Sequence, residues 1–265
     1  MNKQTINMVG GGFQHQNSSS FGHEAKNVKW FKDGSANMSI HIDNGLRIPP
    51  NKTKLNYGWL SESKTIIGGI YGWCVNNIQY LEDNFELIFT HDTSLLPLSD
   101  KFKLVICSAK YWVKDYGMHD KTKLVSMISS NKVMCAEHKY RQDIVSKYRS
   151  QVDLFGRGFN PIETKDEGLK DYYFSICMEN GTYPLMYSEK LTDCFATGTI
   201  PIYYGTPSIG EVFNTDGIIT LDDNFNIGDL TSELYHSKLD AIKENLESVI
   251  EMPIAEDYIY EKYIK

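Results

Sequence analysis

From residue 123 onward, short apolar runs alternate with amphipathic stretches, and this alternation constrains the fold more than any other feature of the chain. The runs at 123–128, 152–155, 173–178, 199–204 and 217–221 are rich in Val, Ile, Phe and Tyr, as strands covered on both faces are. Between them, 138–148 and 189–197 repeat apolar residues at helical spacing, with Gly198 as a C-terminal stop. Two further helices are expected at 230–235 and 238–250. Strands separated by helices pair in parallel, because a parallel pair needs a long crossover. The predicted class is α/β, and this half alone suffices for a nucleotide-binding-type domain.

The first half is less regular. Strands are expected at 6–9, 38–42, 86–90 and 103–107, and one helix over 66–81, where Ile66, Ile70, Trp73, Ile78 and Leu81 fall near one face. Loops are expected at 14–22 and at 47–55, which holds Pro49-Pro50. The polar segment 118–122 lies between two apolar strands. It divides the chain into an N-terminal domain, 1–121, and a C-terminal domain, 122–265.

Composition narrows the function classes. The 265 residues are 41% hydrophobic and 23% charged, which excludes a disordered or fibrous chain. No apolar run approaches the ~18 residues of a membrane helix, and the N-terminus has no apolar core of signal-peptide length. The chain is therefore expected without a transmembrane segment and in the cytoplasm. A net charge of −7 argues against a broad grip on nucleic acid, leaving a local basic patch open. The five cysteines are odd in number, widely spaced and free of Cys-x-x-Cys, so neither structural zinc nor a disulfide framework is supported. Cys107, Cys177 and Cys194 sit in apolar stretches and are expected as buried thiols. Asn-x-Ser/Thr matches at Asn17, Asn37, Asn51 and Asn180 are taken as chance.

Several segments can carry chemistry. Ser188 suits a helix N-cap, and the amides behind it attract anions. Lys190 in that first turn opposes the helix dipole, which makes sense beside a phosphate, while Glu189 can accept from ribose hydroxyls. The plainer alternative is a solvated Glu-Lys pair. Gly205-Thr206-Pro207 follows a strand end, where ligands bind in open α/β sheets, or it is an ordinary turn. Lys139, Arg141, Lys147 and Arg149 make a basic helix after a strand; Arg141 can clamp a phosphate, or the helix presents a solvated basic face. Glu62, close to Trp59 in sequence, is a candidate general base or a surface carboxylate. Gly10-Gly11-Gly12 lacks the full phosphate-cradle spacing and is expected as a turn. His15 and His23 lack metal-ligand spacing, and Asp222-Asp223 is expected as a loop or helix cap.

Taken in order, these segments resemble the donor half of glycosyltransferase family ten, the α1,3/α1,4-fucosyltransferases. The family shows Ser-Asn, then Arg, then Val-Asp-x-aromatic-Gly; here stand Ser130-Asn131, Arg141 and Val152-Asp153-Leu154-Phe155-Gly156. A strand ending in Glu-Asn follows, then Thr/Ser-Glu-Lys, then Ala-Gly-x-Val/Ile-Pro-Val/Ile-Tyr-x-Gly-x-Pro. Here stand Glu179-Asn180, Ser188-Glu189-Lys190 and 196–207, with Thr197 inserted after Ala196. Glu62-Ser63 resembles the family's Glu-Ser-Pro segment with its catalytic base, Lys64 replacing the Pro. Met186 stands where the family has a tyrosine, and Tyr187 is next to it.

The resemblance implies a GT-B fold, two Rossmann-like domains facing a central cleft, and a soluble bacterial or viral form. It implies a GDP-sugar donor, GDP-fucose in the typical case, held by Ser130, Asn131, Arg141, Asn180, Tyr187, Glu189 and Lys190. It further implies inverting transfer to a glycan hydroxyl with Glu62 as base. No cofactor is tightly bound, and no divalent metal is required where cationic side chains meet the leaving diphosphate; Asp-x-Asp is absent. Two alternatives stay open. One is the same fold with another nucleotide sugar and a protein, lipid or modified DNA base as acceptor. The other is a nucleotide-sugar-binding protein without turnover.

Overall fold

The computed structural model describes residues 3–11, 13, 18–106 and 110–265. Gly12, His15, Asn17 and Cys107 lie outside the described residues, and with them parts of the expected loop 14–22 and strand 103–107. The chain forms two compact units. The first holds 1–109, 184–186 and 253–265; the second holds 110–183 and 187–252. The polar segment 118–122 thus lies inside the second unit.

In the first unit, strands β1 (Gln4–Gly10), β2 (Val28–Phe31), β3 (Met38–Ile42), β4 (Leu55–Leu60), β5 (Ile88–Thr90) and β6 (Phe102–Leu104) form one parallel sheet in the order β2-β1-β3-β4-β5-β6. Helices α1 (Lys64–Asn76) and α2 (Ile78–Asn84) follow β4. The second unit contains β7 (Lys123–Ile128), α3 (Ala136–Tyr148), β8 (Asp153–Phe155), β9 (Tyr172–Met178), α4 (Glu189–Ala196), β10 (Ile200–Tyr204), β11 (Ile219–Thr220), α5 (Ser232–Ser237) and α6 (Leu239–Glu251). Its sheet is also parallel, in the order β11-β10-β9-β7-β8. Helix α7 (Ala255–Ile259) belongs to the first unit.

Both sheets place their first strand between the second and third. The connections leaving the two adjoining strands therefore diverge, which opens a crevice at the strand carboxyl ends, the usual ligand position in such sheets. In the first unit Gly10 serves this crossing point. It has φ +95°, and a Cβ there would lie 2.6 Å from Gly45 Cα. Close chain approach accounts for that glycine as a turn.

The second unit's core joins Val125, Met127, Phe174, Ile176, Ile200 and Ile202 to Ile144, Val145 and Tyr148 of α3 and Ile242 of α6. In the first unit, Ile6, Ile40, Trp59 and Phe89 meet Ile254, Ala255 and Ile259 on one face. Leu60 and Ile88 meet Ile70, Cys74 and Leu81 on the other. Helix α7 is tied down by buried carboxylates. Asp257 accepts from Lys26 N and Asn27 N at 2.8 Å each, and Glu256 accepts from Ser19 N at 2.9 Å.

Four features depart from the sequence-based expectation. Strands β2 and β4 and helix α7 were not anticipated, and the helix expected over 66–81 breaks at Asn77, whose backbone is at φ −132°. Asn77 Nδ2 donates to Trp73 O at 2.8 Å, stabilising the break from its own side chain. Cys74, Cys177 and Cys194 are buried free thiols and Cys135 is half-buried. Asp222 Oδ1 accepts from Asn224 N at 2.8 Å, forming a turn.

Candidate functional site

In the second unit a pocket of about 280 Å³ opens where β7, β8 and β9 end, at the divergence of the crossovers. Ser129 and Ser130 line it from the loop after β7, Gly156 and Arg157 from that after β8, Arg141 from α3, and Glu189 and Lys190 from α4. The pocket depends on Gly156. At φ +109°, any Cβ would fall 2.0 Å from Ser129 O, so only glycine lets the two loops touch.

Arg141 is 7% exposed and forms no ion pair with a described residue. Its Nη1 donates to Asn180 Oδ1 at 3.4 Å, and its Nε has no partner among the described residues. Burial lowers its pKa from the usual arginine value, yet a guanidinium does not lose its proton in a protein. A buried cation without a carboxylate is costly, and an anion in the pocket would offset that cost. Asn180 Oδ1 also accepts from His138 Nε2 at 2.9 Å, and His138 Nδ1 accepts from Met134 N at 3.2 Å.

The start of α4 is more evenly charged. Ser188 caps it, its Oγ accepting from Lys190 N at 3.4 Å. Buried Glu179 in turn accepts from Ser188 N at 2.7 Å and from Ser188 Oγ at 2.6 Å. Lys190 Nζ lies 2.9 Å from Ser188 Oγ and 3.6 Å from both Glu179 and Glu189. Lys165 pairs with Glu189 at 3.3 Å and Asp193 at 2.6 Å, and its ammonium sits 4.7 Å from the Trp112 ring centre. Burial alone would raise the Glu189 pKa, but Lys165 and Lys190 hold it down at about 2. Both lysines are thus interleaved with carboxylates, and Arg141 is the less compensated cation.

The remaining expected residues are placed variously. Asn131 is exposed, its amide donating to Arg157 O at 3.0 Å. Tyr187 is 1% exposed, edge-on to Phe213 at 5.3 Å, with its hydroxyl 3.8 Å from Met252 Sδ. The loop at Gly205 folds over Tyr203, whose hydroxyl accepts from Thr206 N at 3.3 Å. Glu62 lies in the first unit, after β4 and just ahead of α1. Its carboxylate accepts from Ser63 N at 2.7 Å, and Tyr71 donates to its carbonyl at 2.7 Å. Asp43 accepts from Ser61 N at 2.8 Å and Glu62 N at 3.2 Å. Lys64, at the family's Pro position, pairs with Asp92 at 3.0 Å.

Sequence reasoning missed His138, Lys165 and the capping role of Glu179. His138 had a signal, since it precedes Arg141 by one helical turn and shares its face. Lys165 had none, being brought to Glu189 only by the fold. Among the described residues, no group of three or more His, Cys, Asp or Glu is placed to hold a metal, and no helix is long and apolar enough to cross a membrane.

Residues 118–247 match the family model described as glycosyltransferase family 10 (fucosyltransferase) C-term. An α-(1,3)-fucosyltransferase of Helicobacter pylori is 36% identical over 66 residues, 25% of this chain and 14% of that protein. A fucosyltransferase-like protein of Acanthamoeba polyphaga mimivirus is 30% identical over 128 residues, 42% of this chain and 21% of that one. A crystal structure of α1,3-fucosyltransferase aligns over 95% of this chain and 81% of its own, with TM-score 0.53 at 15% identity. One solved with GDP-fucose aligns over 95% and 82%, with TM-score 0.51 at 16% identity. The fold is GT-B, with two parallel α/β sheets in one chain.

Proposed function

We propose, from the match of residues 118–247 to the model of glycosyltransferase family 10, that the chain is an inverting glycosyltransferase using a GDP-sugar, GDP-fucose first, and a glycan hydroxyl as acceptor. The matched stretches span 14% and 21% of the curated relatives, so the activity rests on the site as well as on the likeness. In this reading Ser130, Asn131, Asn180, Tyr187 and Glu189 hold the nucleotide sugar. Glu62 takes the proton of the acceptor hydroxyl as its oxygen attacks the anomeric carbon. The bond from that carbon to the diphosphate breaks, and negative charge grows on the leaving group. Arg141, Lys190 and the first amides of α4 meet that charge, so they bind the transition state more tightly than the ground state. These cations do the work a divalent metal does elsewhere. The four described free thiols suit a reducing compartment, and the cytoplasm is the proposed one.

The observation that carries this reading is Arg141, a buried guanidinium that pairs with no carboxylate of a described residue and lines a pocket at the strand carboxyl ends. Calorimetry with GDP-, UDP- and ADP-sugars tests it. The GDP-sugar is expected to bind, and Arg141→Ala to lose about 1–3 kcal/mol of affinity, as loss of a charge-assisted bond does. Tighter binding of a UDP- or ADP-sugar would move the reading to another donor, which Met186 in place of the family tyrosine makes worth including. No binding by any of them, or an unchanged Arg141→Ala, would overturn it.

A further inference from the structure

We infer that His138 is a positioning residue that turns Asn180 so that its amide N–H groups, and not its carbonyl oxygen, are left for an acceptor oxygen of the nucleotide sugar. The inference rests on the donor reading of this pocket. Its logic follows from what each atom can do. A guanidinium only donates, so the Asn180 atom 3.4 Å from Arg141 Nη1 must be the oxygen. That same oxygen lies 2.9 Å from His138 Nε2, so Nε2 carries the hydrogen. The Met134 amide, 3.2 Å from Nδ1, also only donates, so Nδ1 is bare. The ring is therefore the neutral Nε2–H tautomer, and it spans from the loop after β7 to the end of β9. Burial, then the neighbouring Arg141, lower its pKa and favour that neutral form. With both bonds converging on Oδ1, Asn180 Nδ2 makes no hydrogen bond to a described residue and can donate only outward, to a phosphate or sugar oxygen.

Three variants and one spectrum test this. His138→Phe removes both bonds, His138→Gln returns a donor towards Asn180, and Asn180→Asp keeps an acceptor for His138 and Arg141 while removing the N–H pair. His138→Phe and Asn180→Asp are expected to raise the GDP-sugar Kd and KM about tenfold, the size of one hydrogen bond, with His138→Gln recovering most of it. In His138→Phe the kcat at saturating donor is expected to stay within about threefold, since the contact is a binding one. ¹⁵N spectra of the unliganded wild type are expected to show His138 as the Nε2–H tautomer. Wild-type affinity in His138→Phe, or an Nδ1–H tautomer, would overturn the inference. If His138→Phe does not fold, Asn180→Asp and the wild-type tautomer decide. A wild type that binds no nucleotide sugar removes the donor reading and this role with it; a wild type that binds, with His138→Phe unchanged, removes this role alone.

Discussion

Glu62 and Glu189 are both carboxylates near helix starts, and their surroundings differ. Glu62 sits ahead of α1 in a turn held by Asp43 and Tyr71, with its own carboxylate on the Ser63 amide. If it is the base, Glu62→Gln removes the proton acceptor and nothing from the diphosphate pocket. Transfer is then expected to vanish while the Kd for GDP stays within about twofold, read by product release and calorimetry. Near-normal turnover would take Glu62 out of that role. Glu189 is instead locked between Lys165 and Lys190 with its pKa down at about 2 from 4.5. The unfolded chain therefore takes up this proton first, so the stabilisation is complete above about pH 4.5 and is lost as pH falls towards 2. Urea unfolding across that range is expected to show Glu189→Gln with a flatter acid limb than the wild type; parallel curves would mean the ion pairs do not hold this carboxylate.

Helix α4 shows how an element is set by its two ends. At its start the Ser188 hydroxyl accepts from Lys190 N and donates to Glu179, so one small side chain links β9 to α4. At its end the half-buried Lys121 ammonium meets Thr197 O at 2.7 Å, Lys170 O at 2.8 Å and Thr199 Oγ1 at 3.0 Å, a cation at the negative pole of the helix. Ser188→Ala is expected to cost about 1–2 kcal/mol, a cap together with one buried partner bond, and to be read as a lower urea midpoint with unchanged m. An unchanged midpoint would show the cap to be dispensable. This cap was legible in the sequence, because the hydroxyl and the apolar helix behind it are local. Lys121 was not, since its three acceptors come from distant segments. Strand β2, with exposed Lys29, and strand β4, with buried Asn56 and Gly58, lack the unbroken apolar run that revealed β7, β9 and β10. In β4 the Asn56 Nδ2 donates to the Asn51 and Lys54 carbonyls at 2.9 and 2.8 Å. A Cβ on Gly58 would lie 2.8 Å from Leu46 Cδ2 and 3.1 Å from Ile88 Cγ2, so both side chains would have to shift. Helix α7 escaped notice because its acidic residues read as surface. They are instead acceptors for Ser19, Lys26 and Asn27, far away in sequence.

At the scale of the molecule, two parallel sheets each place a first strand between the second and third, and each opens its crevice at the strand carboxyl ends. The alternation of strand and helix made this topology legible for the second unit. In the first unit, a loop joins β2 to β3 and only a short 3-10 turn over Asp43–Arg47 lies between β3 and β4, so the alternation fails although the sheet remains. Ser130, Arg141, Glu189 and Lys190 were singled out from separate segments, and the fold brings them to one pocket. An overall charge of −7 coexists with that pocket because its cations are few and locally placed. The proposed function rests on the buried Arg141 guanidinium meeting a leaving diphosphate. A crystal structure with GDP-fucose, or with GDP, examines this most directly. Diphosphate oxygens are expected within about 3 Å of the Arg141 guanidinium, hydrogen-bonded and close to the α4 amides. A diphosphate bound away from Arg141 would contradict it.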